Sequence, residues 1–133
     1  METTMTLIAP GLIDSVMKLR VLLVFCRYPQ LRGSAPQIRQ RLPCDPWMLQ
    51  EALDGLAEAS LLERKRSGGV WEYALSPRPQ VRTKLRELAQ LFDDPQQREE
   101  IYLQVREAEQ ERRFRDFLAN ERQKQVGGDT LVF

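Results

Sequence analysis

Two helix starts lie within the thirteen residues from Ser34 to Pro46. Ser34-Ala35-Pro36-Gln37 is a capping box with proline in the first turn. The helix it opens reaches only to about Leu42, burying Ile38 and Leu42, because Pro43-Cys44 breaks the chain. Asp45-Pro46 restarts it at once, with Asp as cap and Pro at the first helical position. The second helix then runs to about Ala59, and Leu49, Ala52, Leu53 and Leu56 share one face at helical spacing. Two helices across a tight turn are therefore fixed, and the other elements must pack around them.

Residues 1–11 read as a flexible N-terminal arm ending in Pro10-Gly11. Asp14 is placed to cap a helix to about Arg27 that is apolar nearly all round, as a helix in the middle of a fold would be. Tyr28-Pro29 ends it. After the paired helices, Leu61–Ser67 and Val70–Leu75 flank Gly68-Gly69, a two-residue hairpin turn. Trp71, Tyr73 and Leu75 alternate onto one face, so Trp71 is expected in the core. Pro77 and Pro79 stop the strand. A helix over about 80–92 carries the stripe Val81, Leu85, Leu88 and Phe92. Asp94-Pro95-Gln96-Gln97 caps a last helix expected to run to about Lys124 and to end at Gly127-Gly128. The fold class is mainly α with a small β-hairpin.

The last helix changes sides. With Ile101 at zero and about 100° per residue, Tyr102, Val105 and Ala108 fall near 100°, 40° and −20°. Phe114, Phe117 and Leu118 fall near 220°, 160° and 260°. A helix that leaves its own body and packs on a partner needs two such faces; a break between Glu109 and Arg113 that folds the end back is the alternative. The expected dimer interface is Ile101, Val105, Phe114, Phe117 and Leu118.

Composition excludes several functions. The 133 residues contain no His, which removes imidazole bases and His-ligated metals. Two cysteines, Cys26 and Cys44, build neither a Cys-only zinc site nor a secreted disulfide framework. No cofactor and no metal site is expected, no acid–base or nucleophile constellation marks an enzyme, and the carboxylates along the last helix alternate with arginines as a solvated face does. The longest apolar run is too short for a membrane span and the N-terminus has no basic signal region, so a cytoplasmic protein is expected. Net charge is only +1, so any nucleic-acid contact must come from local patches. Sixteen of the 20 basic residues are Arg, the better fork for phosphate and guanine, although a GC-rich genome gives the same bias.

Helix, short helix, tight turn, helix and Gly-tipped hairpin is the order of a winged helix-turn-helix. Ser34-Ala35-Pro36-Gln37-Ile38-Arg39-Gln40-Arg41-Leu42 resembles the first helix of that motif in bacterial regulators. The stretch from Ala52 to Glu63 resembles the end of a recognition helix entering the wing, and Trp71-Glu72-Tyr73-Ala74-Leu75-Ser76-Pro77 resembles a last wing strand. The chain is similar to the PadR, MarR and ArsR regulators, PadR closest in layout, over about residues 12–92. The resemblance implies a winged helix-turn-helix domain over 12–77, a two-helix dimerisation extension over 78–124 and a tail over 125–133. It implies a homodimer on double-stranded DNA, acting as a transcriptional regulator. Base-reading positions would be Trp47, Met48, Gln50, Glu51 and Asp54. Phosphate contacts would be Ser34, Arg39 and Arg41, with Arg64, Lys65 and Arg66 in the wing. A pocket between the long helices could hold a small effector, as the family sometimes does.

Two departures stand out. Ser60 occupies the usual glycine position before the wing, where a left-handed backbone costs a non-glycine residue roughly 1 kcal/mol. The third helix carries Glu51, Asp54 and Glu58 and no Lys or Arg, a poor complement to a polyanion. The alternative is thus a winged helix that binds a protein partner and reads no DNA. Trp47 is either an exposed anchor or a staple on the first helix. Cys44 sits ahead of a helix start, where a thiol can be activated, but the reading its position favours is an ordinary small residue; Cys26 reads as core. The apolar tail Thr130–Phe133 either docks on a neighbour or is disordered.

Overall fold

The computed structural model describes residues 7–131, with side chains described through Arg122. The elements are α1 (Val16–Arg27), β1 (Arg32–Gly33), α2 (Ala35–Arg39), α3 (Pro46–Glu58), β2 (Leu62–Ser67), β3 (Val70–Leu75), α4 (Pro79–Phe92) and α5 (Pro95–Leu131). The protein is mainly helical with one antiparallel three-stranded sheet of order β1-β3-β2, an order compatible with a winged helix.

The paired helix starts fold as their chemistry dictates. The Ser34 N–H donates to Gln37 Oε1 at 2.9 Å, and the Met48 N–H donates to Asp45 Oδ2 at 3.0 Å. The end of α3 is equally well defined. Leu61 N–H reaches Leu56 O and Ser60 N–H reaches Ala57 O, the two bonds of a Schellman motif. The motif puts Ser60 at φ 64°, the left-handed backbone expected there. Gly68 and Gly69 have φ of 57° and 81°, the two positive values a type I′ hairpin turn requires. Arg64 then faces Tyr73 across the hairpin, and Arg66 faces Trp71.

One core collects Leu19, Leu22 and Phe25 of α1, Leu49, Leu53 and Leu56 of α3, Tyr73 and Leu75 of β3, and Leu85 and Leu88 of α4. Ile101 and Val105 of α5 close it, and Phe92 meets Tyr102 edge to face at 5.3 Å.

Several expectations are corrected. The arm is packed from Leu7 onward: Leu7 and Ile13 are buried and joined by a 2.9 Å backbone bond. Residues 1–6 of that arm lie outside the described residues. Ser15, not Asp14, caps α1, accepting from the Lys18 N–H; Asp14 is buried and committed to an ion pair. Strand β1 had no sequence signal, because two residues show no alternation. Helix α5 is continuous through 109–113, so no break folds its end back, and Gly127-Gly128 lie inside it. Glycine lowers helix propensity without removing the backbone donor, as proline would. Ile101 and Val105 are buried in the chain's own core and are not available to a partner, whereas Phe114, Phe117 and Leu118 are exposed. The fate of the last side chains of the tail lies outside the described residues.

Candidate nucleic-acid interface

The outer face of α3 and the hairpin beside it form the candidate interface. The apolar stripe of α3 is spent on the core, which turns Trp47, Met48, Gln50, Glu51 and Glu58 outward. Trp47 is 76% exposed and staples nothing. The hairpin presents Arg64, Lys65 and Arg66, all exposed.

Asp54 joins the two elements. Its Oδ1 accepts from the Tyr73 hydroxyl at 2.7 Å and from Arg64 Nη1 at 3.2 Å. Gln50 Nε2 donates to Tyr73 Oη at 2.9 Å and to both Asp54 oxygens at 3.2 Å. Burial, and then the bond to Asp54, raise the Tyr73 pKa above its ordinary value. Gln50 and Asp54, expected to read bases, are therefore engaged in holding the hairpin against α3. The face left for contacts is Trp47, Met48 and Glu51, with Glu58 beyond.

Trp71 is corrected from core to surface. It lies on the same strand face as Tyr73, but two residues nearer the turn, where the hairpin has passed beyond the core. It is 39% exposed, with the Arg64 and Arg66 guanidinium carbons 4.9 and 5.2 Å from its ring centroid. Such stacking holds cations in place without neutralising them. No pattern in the sequence distinguished a core tryptophan from a stacking platform.

The residues expected beside α2 are not all brought here. Ser34 is half-buried and its N–H is taken by the capping bond. Arg39 is exposed. Arg41 turns onto Tyr28, 4.5 Å from its ring, in a cleft that includes no residue of α3 or the hairpin.

Beside the outer face of α3, and lined in part by its Met48, Glu51 and Glu58, a cleft of about 520 Å³ opens between α1, α3 and α5. Its floor is Lys18, buried and ion-paired to buried Asp14 at 2.7 Å, with Arg112 of α5 at 3.3 Å from the same oxygen. The lining carries both signs, Arg20, Arg112 and Arg113 against Glu51, Glu58 and Glu109, and so does not define an effector. Cys26 is pushed up to about 11 by burial, and its thiol points at Leu85 O, 3.5 Å away. Cys44 is half-buried in the break between α2 and α3.

Among the described residues no helix is long and apolar enough to cross a membrane. No family model matches the chain, and no curated protein or solved structure matches it.

Proposed function

We propose that the chain is a winged helix-turn-helix protein that binds double-stranded DNA, hairpin first, as a homodimer. The observation that carries this reading is the Arg64–Trp71–Arg66 stack, with Lys65 beside it, on a β-ribbon that projects past the core. Lys65 and Arg66, in no ion pair among the described residues, and Arg64, which Asp54 shares, put cations on a narrow ribbon that suits a phosphate backbone, the source of most non-specific affinity. Helix α3 follows the hairpin to the duplex and offers Trp47, Met48 and Glu51, so sequence readout is slight and backbone contact dominates. The exposed Phe114, Phe117 and Leu118 of α5 supply the second-copy contact. A regulatory role follows if the dimer recognises an operator.

The test is fluorescence anisotropy on mixed-sequence duplex at roughly 50 and 200 mM salt, the range over which phosphate-led binding falls steeply. Binding at the lower salt, reduced by an Arg64/Lys65/Arg66 triple Ala variant, is expected; equal affinity of variant and parent sinks the reading.

One observation favours a second reading, a protein-interaction module that reads no DNA. Glu51 and Glu58 are exposed and, among the described residues, unpaired on the helix that would enter the groove. Absence of DNA binding at both salts selects it.

A further inference from the structure

The ends of α1, α2 and α4 converge on a cleft of about 810 Å³. Its back wall is apolar, made by Leu23, Val24 and Phe92, all half-buried. Its lining includes Arg27, Arg41 and Arg86, one from each of the three converging segments, against a single carboxylate, Asp93. Among the described residues none of these three guanidinium groups enters a side-chain ion pair. Tyr28, 40% exposed, lies between: Arg41 stacks 4.5 Å from its ring centroid, and Arg27 is 5.9 Å away. A stacked guanidinium keeps its N–H edges free, so it gives up little freedom on forming a bidentate bond.

Some exposed arginines elsewhere are paired, Arg32 with Glu63, Arg64 with Asp54 and Arg115 with Glu111, and others, Arg39, Arg66, Arg78 and Arg106 among them, enter no ion pair among the described residues. Here three converge with a net local charge of about +2 after Asp93. The volume lies within the range of small-ligand sites, roughly 300–1,000 Å³, and an apolar wall beside a few fixed polar groups is their usual lining.

We propose that this cleft binds an organic phosphate, a phosphomonoester held by Arg27, Arg41 and Arg86 with its apolar or aromatic body against Leu23, Val24 and Phe92. Three convergent forks suit the three terminal oxygens of a phosphomonoester, which carries a charge near −2 at neutral pH. A DNA backbone offers singly charged diesters and nothing to lay on the apolar wall. The site shares no residue with α3 or the hairpin, so it stands whether or not the chain binds DNA.

The test is calorimetric titration of the full chain with phenyl phosphate and with AMP, alongside adenosine, inorganic phosphate and a short duplex. Saturable binding of at least one organic phosphate, at one per chain, is expected. Affinity should fall at least tenfold in an Arg41→Gln/Arg86→Gln variant whose melting curve matches the parent's, with Arg86→Gln alone as the milder variant. Adenosine should not bind, and inorganic phosphate should bind more weakly. No saturable binding of either organic phosphate overturns the proposal. So does inorganic phosphate binding as tightly as both, or affinity unchanged in the variants. Duplex binding that drops in the variants while neither organic phosphate binds replaces the proposal with a backbone contact.

Discussion

The Tyr73 hydroxyl donates to Asp54 Oδ1 at 2.7 Å, tying the last strand of the hairpin to the exposed side of α3 across nineteen residues of sequence. The ring of Tyr73 is fully buried, so its hydroxyl has few other acceptors within reach. Asp54→Ala removes that acceptor and releases Arg64 and Gln50 together. Stability should fall by about 1–3 kcal/mol, the cost of leaving such a group unpaired. Tyr73→Phe, which removes the donor and leaves a half-exposed carboxylate, should cost less, about 1 kcal/mol. Urea unfolding of both variants measures the difference. If Asp54→Ala leaves stability unchanged, the carboxylate is free for another task.

The raised Tyr73 pKa has a consequence for pH. A group whose folded pKa lies above its unfolded value adds stability that is complete below the unfolded pKa. That stability is lost as pH rises past it. For Tyr73, with an ordinary value of 10.0, the loss begins above pH 10. Cys26 behaves alike from 9.0 upward, its folded value being about 11. At pH 8 the Cys26 thiolate is therefore about one part in a thousand of the total. Iodoacetamide at that pH should label Cys44 and spare Cys26 until the chain unfolds, as peptide mass spectrometry would show. Equal labelling rates in the folded protein contradict the burial of Cys26.

Ser60 offers a stabilising change. Its φ of 64° is fixed by the two closing bonds of the Schellman motif, and it is exposed, so a smaller side chain leaves no cavity. Ser60→Gly should raise stability by roughly 1 kcal/mol, because glycine meets no Cβ penalty in that conformation. A melting temperature that falls would mean that the serine side chain holds the turn.

Much of this architecture is legible in the sequence because it is local. Caps, prolines and glycine pairs act over three or four residues, so Ser34, Asp45 and Gly68-Gly69 fold as their chemistry directs. The candidate site was legible only by type. Arg64, Lys65 and Arg66 sit on the hairpin as expected, but the engagement of Asp54 by Tyr73 depends on a contact nineteen residues away that no spacing encodes. Trp71 misled for a similar reason. Alternation gives a strand face, not where along that face the core ends. Tyr28, Arg27 and Arg86 carried no motif at all, and only the convergence of three chain segments assembles them.

Gly55 explains itself only through a distant lysine. A glycine inside α3 costs about 1 kcal/mol relative to alanine. A Cβ there would lie 2.8 Å from both Cε and Nζ of Lys18, which is held in place by buried Asp14. The glycine thus makes room for a buried ion pair that also reaches Arg112. Asp14→Ala strands Lys18 without a partner and should cost about 3–5 kcal/mol. Adding Lys18→Met should return much of that loss, since a buried pair is often replaceable by apolar groups of similar volume. Denaturant midpoints of the single and double variants decide it, and a double variant no more stable than Asp14→Ala refutes the pairing argument.

The outer face of α5 sets the last expectation. Leu103, Phe114, Phe117 and Leu118 are 54%, 61%, 57% and 43% exposed, and all fall within a strip about 100° wide opposite the stripe that enters the core. Four large apolar groups along one exposed strip are what the proposed second copy would cover. Each phenylalanine taken from water is worth roughly 1.5–3 kcal/mol, so charging one weakens association by a factor of ten to a hundred or more. Phe114→Glu and Phe117→Glu should each convert a dimer to a monomer in sedimentation equilibrium. The melting of the isolated fold should stay unchanged, because both rings lie outside its core. A parent chain that sediments as a monomer at about 100 μM, a concentration at which a contact of that strength would be populated, removes the dimer from the proposed function and leaves the hairpin reading to stand alone.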